Sequence, residues 1–230
     1  MRRALLMLLA LAAPAFAKER PVPACAGPIK PPLFISPMGE PYRPSGDGDD
    51  PERRWFEQAD RDHDGRLTIG EMMLDADRFF AVLDKDHDGE LLPDEVHGYE
   101  ENVAPEVRLY QRRPDRDADA ADRPRDEDDP QNESRKRSRR GGGLGADGTM
   151  GAGRYSFLNI PNPVASADDD INRAVDRKEF EQAAAQRFRD LDPEQSKALT
   201  LAMLPKTPAQ VAANRACLAN RQGAGREKRL

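Results

Sequence analysis

The chain of 230 residues is 34 % charged, 37 % hydrophobic and only 6 % aromatic, with a formal net charge of −6 and a mean hydropathy of −0.83. This balance excludes one uniform globule, because part of the chain lacks the apolar surface to offset its ordering entropy. The acidic sign excludes a general nucleic-acid binder and suits a binder of cations.

Residues 1–17 read as a signal peptide. Arg2 and Arg3 precede an apolar run, Ala4 to Ala13, that is too short to span a bilayer, and Ala15-Phe16-Ala17 fits the small-x-small cleavage rule. Cleavage after Ala17 implies a periplasmic or secreted protein, and losing Arg2 and Arg3 takes the formal charge from −6 to −8. No transmembrane segment is expected after cleavage. Cys25 and Cys217 are the two cysteines. An oxidising compartment permits a disulfide between them; free or intermolecular thiols are the other reading.

Residues 18–49, rich in proline and glycine, read as an extended tail. Asp50-Pro51 is a helix start, Asp as N-cap and Pro at the first helical position. The helical segment runs on through Trp55, Phe56 and Ala59. Helix formers recur from Met72 to Leu83 and from Glu95 to Tyr110, so residues 50–110 form a first helical unit. Residues 111–153 are a disordered linker by composition: alternating Asp and Arg, a basic block from Arg135 to Arg140, then a glycine-rich stretch. Contact of that block with an anionic membrane or polysaccharide is the alternative. Residues 154–205 regain apolar and helical character, and residues 206–230 read as a short helix and a basic tail.

The chemistry lies in two twelve-residue stretches. Asp60-Arg61-Asp62-His63-Asp64-Gly65-Arg66-Leu67-Thr68-Ile69-Gly70-Glu71 places carboxylates at positions 1, 3, 5 and 12, with a glycine at 6. A hard cation such as Ca2+ takes six to eight oxygens. Asp60, Asp62 and Asp64 supply three, Arg66 its backbone carbonyl, Thr68 a bridging water, and Glu71 closes the shell in bidentate fashion. Asp84-Lys85-Asp86-His87-Asp88-Gly89-Glu90-Leu91-Leu92-Pro93-Asp94-Glu95 offers Asp84, Asp86, Asp88, the Glu90 carbonyl and Glu95. Leu92 has no side-chain oxygen at position 9, so weaker binding is expected there. His63 and His87, at position 4, are expected to face solvent. The two starts lie 24 residues apart. A single helix then leaves the first loop and enters the second, and Leu67 at position 8 is expected to pair with the second loop through a short strand.

The same offset recurs. Asp168, Asp170, Asn172, Ala174 (by its carbonyl), Asp176 and Glu179 repeat the ligand spacing, with Arg173 in the glycine position; these are weaker candidates. From Asp192 the spacing continues with Glu194, Ser196 and Leu199, but Lys197 replaces glycine and Met203 the closing carboxylate, so no calcium is expected there. An ordinary helical hairpin is the other reading of this region.

Residues 50–105 closely, and 164–205 loosely, resemble the EF-hand superfamily, most of all its exported bacterial members. The resemblance implies an all-α fold of paired EF-hand helix-loop-helix units with short loop strands, and calcium as ligand. An enzyme is the third reading and is not expected, since the chain offers no nucleophile–base pairing, phosphate loop or zinc cluster and its paired carboxylates are accounted for by the loops. The expected role is calcium-ion binding as sensor, buffer or calcium-stabilised adaptor. The alternative is an interaction module in which calcium only stabilises the fold, its protein partner unidentified.

Overall fold

The computed structural model describes residue 25, residues 31–108 and residues 148–227, the side chains of 221–227 excepted. The expected signal peptide, the alternating Asp/Arg run and the basic block lie outside the described residues.

Helix α1 (Pro51–Ala59) starts as expected: Asp50 accepts from the Arg53 amide at 3.1 Å, and Pro51 fills the first turn. It buries Trp55, Phe56 and Ala59. Helix α2 (Ile69–Leu83) is nucleated by a capping box, the Thr68 hydroxyl accepting from the Glu71 amide while the Glu71 carboxylate accepts from the Thr68 amide. Met72, Ala76, Phe80 and Leu83 form its buried stripe. Helix α3 (Pro93–Gly98) is short. The helical run expected from Glu95 to Tyr110 breaks into a π turn (Tyr99–Val103) and a 3-10 turn (Pro105–Val107). Pro105 disfavours a helical Ala104, whose φ is −131°.

Beyond residue 148 the chain makes 3-10 turns at Gly151–Arg154 and Ala165–Ala167, then α4 (Arg177–Leu191) and α5 (Pro208–Glu227). Asp176 and Glu179 cap α4 as Thr68 and Glu71 cap α2. Phe180, Ala184, Phe188 and Leu191 are its buried stripe. Gly151 sits at φ +52°, and a Cβ there would lie 2.2 Å from the Pro161 carbonyl oxygen.

Helices dominate, but the described residues also hold three two-stranded antiparallel ladders. Strand β1 (Phe34–Ile35) pairs with β2 (Pro41–Tyr42), β3 (Leu67–Thr68) with β6 (Ala198–Leu199), and β4 (Glu90–Leu91) with β5 (Val175–Asp176). The last two ladders correct the expected strand partners: the loop at Asp60 pairs with the loop at Asp192, and the loop at Asp84 with the loop at Asp168. The reason is length. Fifteen helical residues extend about 22 Å, so α2 holds the loops at its two ends far beyond the ~4.8 Å that paired strands require. Laid antiparallel on α4, each end of α2 meets the opposite end of α4 instead. Phe80 and Phe180 meet edge to face between the two helices, 5.6 Å between centroids, and Arg177 pairs with Asp77 at 2.6 Å.

The reading of 18–49 as an extended tail is also corrected over its described part. The β1–β2 hairpin buries Phe34, Ile35, Met38 and Tyr42. Phe34 packs on Trp55 at 5.5 Å and on Phe157 at 5.0 Å. Proline and glycine shape its turn rather than loosen it, Gly39 sitting at φ +103°. Arg187 of α4, 4 % exposed, donates to the carbonyls of Pro37 (2.9 Å) and Pro163 (2.8 Å) and to Ser166 Oγ (3.0 Å), tying hairpin, core and second half together. Cys25 and Cys217 form a disulfide, and the Cys25 amide donates to Asn214 Oδ1 at 2.8 Å.

Candidate metal centre

Four loops share one backbone conformation. Every non-glycine residue with positive φ among the described residues falls at position 4 or 6 of a loop: His63, His87, Ile171 and Gln195 at 4, Arg173 and Lys197 at 6. Gly65 and Gly89 hold position 6 in the first two, at φ +79° and +89°. The first two loops meet this left-handed requirement with the residue that adopts it without penalty. Arg173 and Lys197 adopt it against a Cβ.

One hydrogen bond recurs in all four: the amide at position 6 donates to Oδ2 of the aspartate at position 1. The distances are 2.9 Å for Gly65 to Asp60, 3.2 Å for Gly89 to Asp84, 3.0 Å for Arg173 to Asp168 and 2.9 Å for Lys197 to Asp192. Position 8 is buried throughout, as Leu67, Leu91, Val175 and Leu199. These residues stand opposite one another in the two ladders, Leu67 to Leu199 and Leu91 to Val175.

The loops differ in their carboxylates. Asp60, Asp62 and Glu71 bring ligand oxygens within 4.8 Å of one another, as do Asp84, Asp86 and Glu95, and Asp168, Asp170 and Glu179. Asp64, Asp88 and Asn172 at position 5 accept from the amides of Arg66, Glu90 and Ala174, which orders the turn that leads to the position 7 carbonyl. Glu71 is held toward its loop by the Arg61 amide at 3.0 Å, Glu95 by Lys85 at 2.5 Å and Glu179 by Asp169 at 3.1 Å. Burial acts to raise the Glu71 pKa, but hydrogen bonds from the Thr68 amide and hydroxyl and from the Arg61 and Asp62 amides outweigh it and hold the carboxyl below its ordinary value. Thr68 and Asp176 at position 9 serve as helix caps; Leu92 supplies no side-chain cap, only the Glu95 carboxylate accepting from its amide at 3.3 Å. His63 and His87 are exposed.

The decisive atoms are at position 1. Asp60 and Asp84 are 4 % and 3 % exposed, and Oδ1 of each is buried with no hydrogen-bond partner. Leaving such an oxygen unpaired is costly. An all-oxygen donor set around an orphaned carboxylate oxygen fits a hard divalent cation. Loop three lacks this feature, since Asp168 Oδ1 accepts from the Asn172 amide at 3.1 Å. In loop four Met203 stands at position 12, 45 % exposed, and no helix follows directly. The orphaned oxygens and the crossed partners are what reading the sequence missed. The first needs coordinates; the second was accessible from the length of α2.

A family model described as EF hand matches residues 53–74, spanning most of α1, the first loop and the start of α2. This match and the acidic groups support the EF-hand superfamily for that segment, with calcium as the ligand it suggests. No curated protein and no solved structure matches the chain. No helix among the described residues is long and apolar enough to cross a membrane.

Proposed function

We propose that the chain is an exported calcium-binding protein, not an enzyme, that holds one ion in each of the loops Asp60–Glu71 and Asp84–Glu95. The observation that carries this reading is the pair of buried, unpartnered oxygens, Asp60 Oδ1 and Asp84 Oδ1, each among convergent carboxylates. In the first loop Asp60, Asp62, Asp64, the Arg66 carbonyl and Glu71 are the ligands, with a water on Thr68. In the second Asp84, Asp86, Asp88, the Glu90 carbonyl and Glu95 take those roles. Asp168, Asp170 and Glu179 remain a subsidiary group, and the shared offset of the four loops reads as an internal repeat. Export is supported by the N-terminal pattern of Arg2-Arg3, apolar run and Ala15-Phe16-Ala17, and by the Cys25–Cys217 disulfide. Calorimetric titration of the chelator-treated chain lacking residues 1–17 tests the binding. Two sites are expected, and zero sites would overturn the reading.

A second reading of the role, calcium as a stabiliser rather than a signal, draws on the closed core. Phe80 and Phe180 are each 0 % exposed where α2 meets α4. A sensor exposes apolar surface when the ion binds. Binding of an apolar dye to the folded protein, unchanged by calcium, favours the stabilising role; an increase favours the sensor.

A further inference from the structure

We infer that the fourth loop, Asp192–Met203, is an ion-independent template for the first, and that Asp192 and Ser196 are positioning residues for the cation at Asp60–Glu71. This rests on the calcium reading given above.

Loop four reaches the shared conformation by satisfying its own carboxylate. Asp192 Oδ1 accepts from the Ser196 amide at 2.8 Å and lies 2.8 Å from the Ser196 hydroxyl, while Oδ2 accepts from the Lys197 amide at 2.9 Å. The hydroxyl is also 2.9 Å from the Ala198 carbonyl, linking the closed turn to the first residue of β6. Asp60 makes the same bond through Oδ2 but leaves Oδ1 open. The two loops are thus one backbone closed in two ways, by a serine in one and by whatever fills the gap beside Asp60 in the other. Gln195 and Lys197, at φ +54° and +69°, match His63 and Gly65 at +58° and +79°.

The closed loop is laid directly on the open one. Ala198 and Leu199 are in register with Thr68 and Leu67, and Arg66, whose carbonyl is the position 7 donor, immediately precedes β3. A strand already fixed at β6 fixes β3, and with it the Arg66 carbonyl and the Thr68–Glu71 cap. Less of the ordering cost then falls on the ion, which raises its apparent affinity. The second loop rests on a looser partner: loop three closes Asp168 with the same two amides, of Asn172 (3.1 Å) and Arg173 (3.0 Å), but has no side-chain hydroxyl to link that closure to strand β5, so the Ser196 hydroxyl is what distinguishes the two templates.

The test isolates each site in the full chain. With Glu95→Gln disabling the second loop, Ser196→Ala is expected to weaken calcium binding at the first by about three- to tenfold, the scale of one ordinary hydrogen bond, since the Ser196 amide still holds Asp192; Ser196→Thr is expected to restore it. With Glu71→Gln disabling the first loop, Ser196→Ala is expected to change affinity at the second by less than about twofold, since it breaks no contact in the β4–β5 ladder. Ser196 is exposed, so its truncation leaves the fold intact, and circular dichroism verifies this. Equal weakening in both backgrounds, or no weakening in either, overturns the template. Failure of the unsubstituted chain to take up calcium overturns both this inference and the reading beneath it, whereas uptake indifferent to Ser196 overturns the template alone.

Discussion

Leu67 and Leu199 stand opposite each other in the β3–β6 ladder, both buried, one from the first loop and the other from the fourth. With Leu91 facing Val175 in β4–β5, this crosses the two halves of the chain. Each half supplies one strand to each ladder, and neither half can close its own position 8 contacts alone.

Truncating Leu199 therefore destabilises the half that does not contain it. Leu199→Ala is expected to cost about 2–5 kcal/mol, as for other buried leucines. Trp55 is the only tryptophan and lies in α1 of the first half, 5.8 Å from Phe157 of the second, so its fluorescence reports on that half and on its packing against the other. In urea its transition is expected to shift together with the far-ultraviolet circular dichroism. A Trp55 transition that stays in place would show the halves to be independent.

The closing glutamates are unequal. Glu71→Gln and Glu95→Gln are each expected to remove one calcium from the calorimetric count, because each breaks a bidentate closure. Glu179→Gln is expected to leave the count unchanged, since the Asn172 amide already occupies Asp168 Oδ1. Loss of a site on Glu179→Gln would place a bound ion in the third loop.

Arg187 is a buried cation whose acceptors are carbonyls and a hydroxyl rather than a carboxylate. Burial brings its pKa down to about 10. The unfolded chain binds the extra proton only between that value and the higher ordinary one, so stability from this group rises with pH in that alkaline window and does not change near neutrality. Arg187→Ala strands the Pro37 and Pro163 carbonyls and opens a cavity, for an expected loss of about 3–5 kcal/mol. Urea unfolding at pH 6 and pH 8 should give the same loss, and a cost under about 1 kcal/mol would mean that water replaces the guanidinium without penalty.

The Cys25–Cys217 bridge spans 192 residues of sequence. Chain entropy sets its contribution at no more than about 5 kcal/mol for so long a loop. Reduction, or Cys217→Ser, is expected to lower the melting temperature while leaving calcium stoichiometry unchanged, because the ladders do not depend on it. A lost calcium site on reduction would contradict that separation.

Much of the site was legible because its chemistry is local. Asp60 to Glu71 carries ligands, turn glycine and capping box in twelve consecutive residues, and Asp50-Pro51 announced the helix before it. The hairpin at Phe34–Tyr42 was not legible, since its apolar residues are few and its burial comes from distant Trp55 and Phe157. The strand partners were misassigned by nearness in sequence, although the length of α2 forbids that pairing. The closure of Asp192 by Ser196 was hidden because a serine at position 5 reads as a ligand when the loop is taken alone.

The most direct test of the account is a calcium titration followed by backbone amide resonances in the chelator-treated chain. The amides of Gly65 and Gly89 donate to Asp60 and Asp84, so both are expected to shift and to saturate by two equivalents of calcium. Resonances of Gly65 and Gly89 that do not respond to calcium would contradict the central claim.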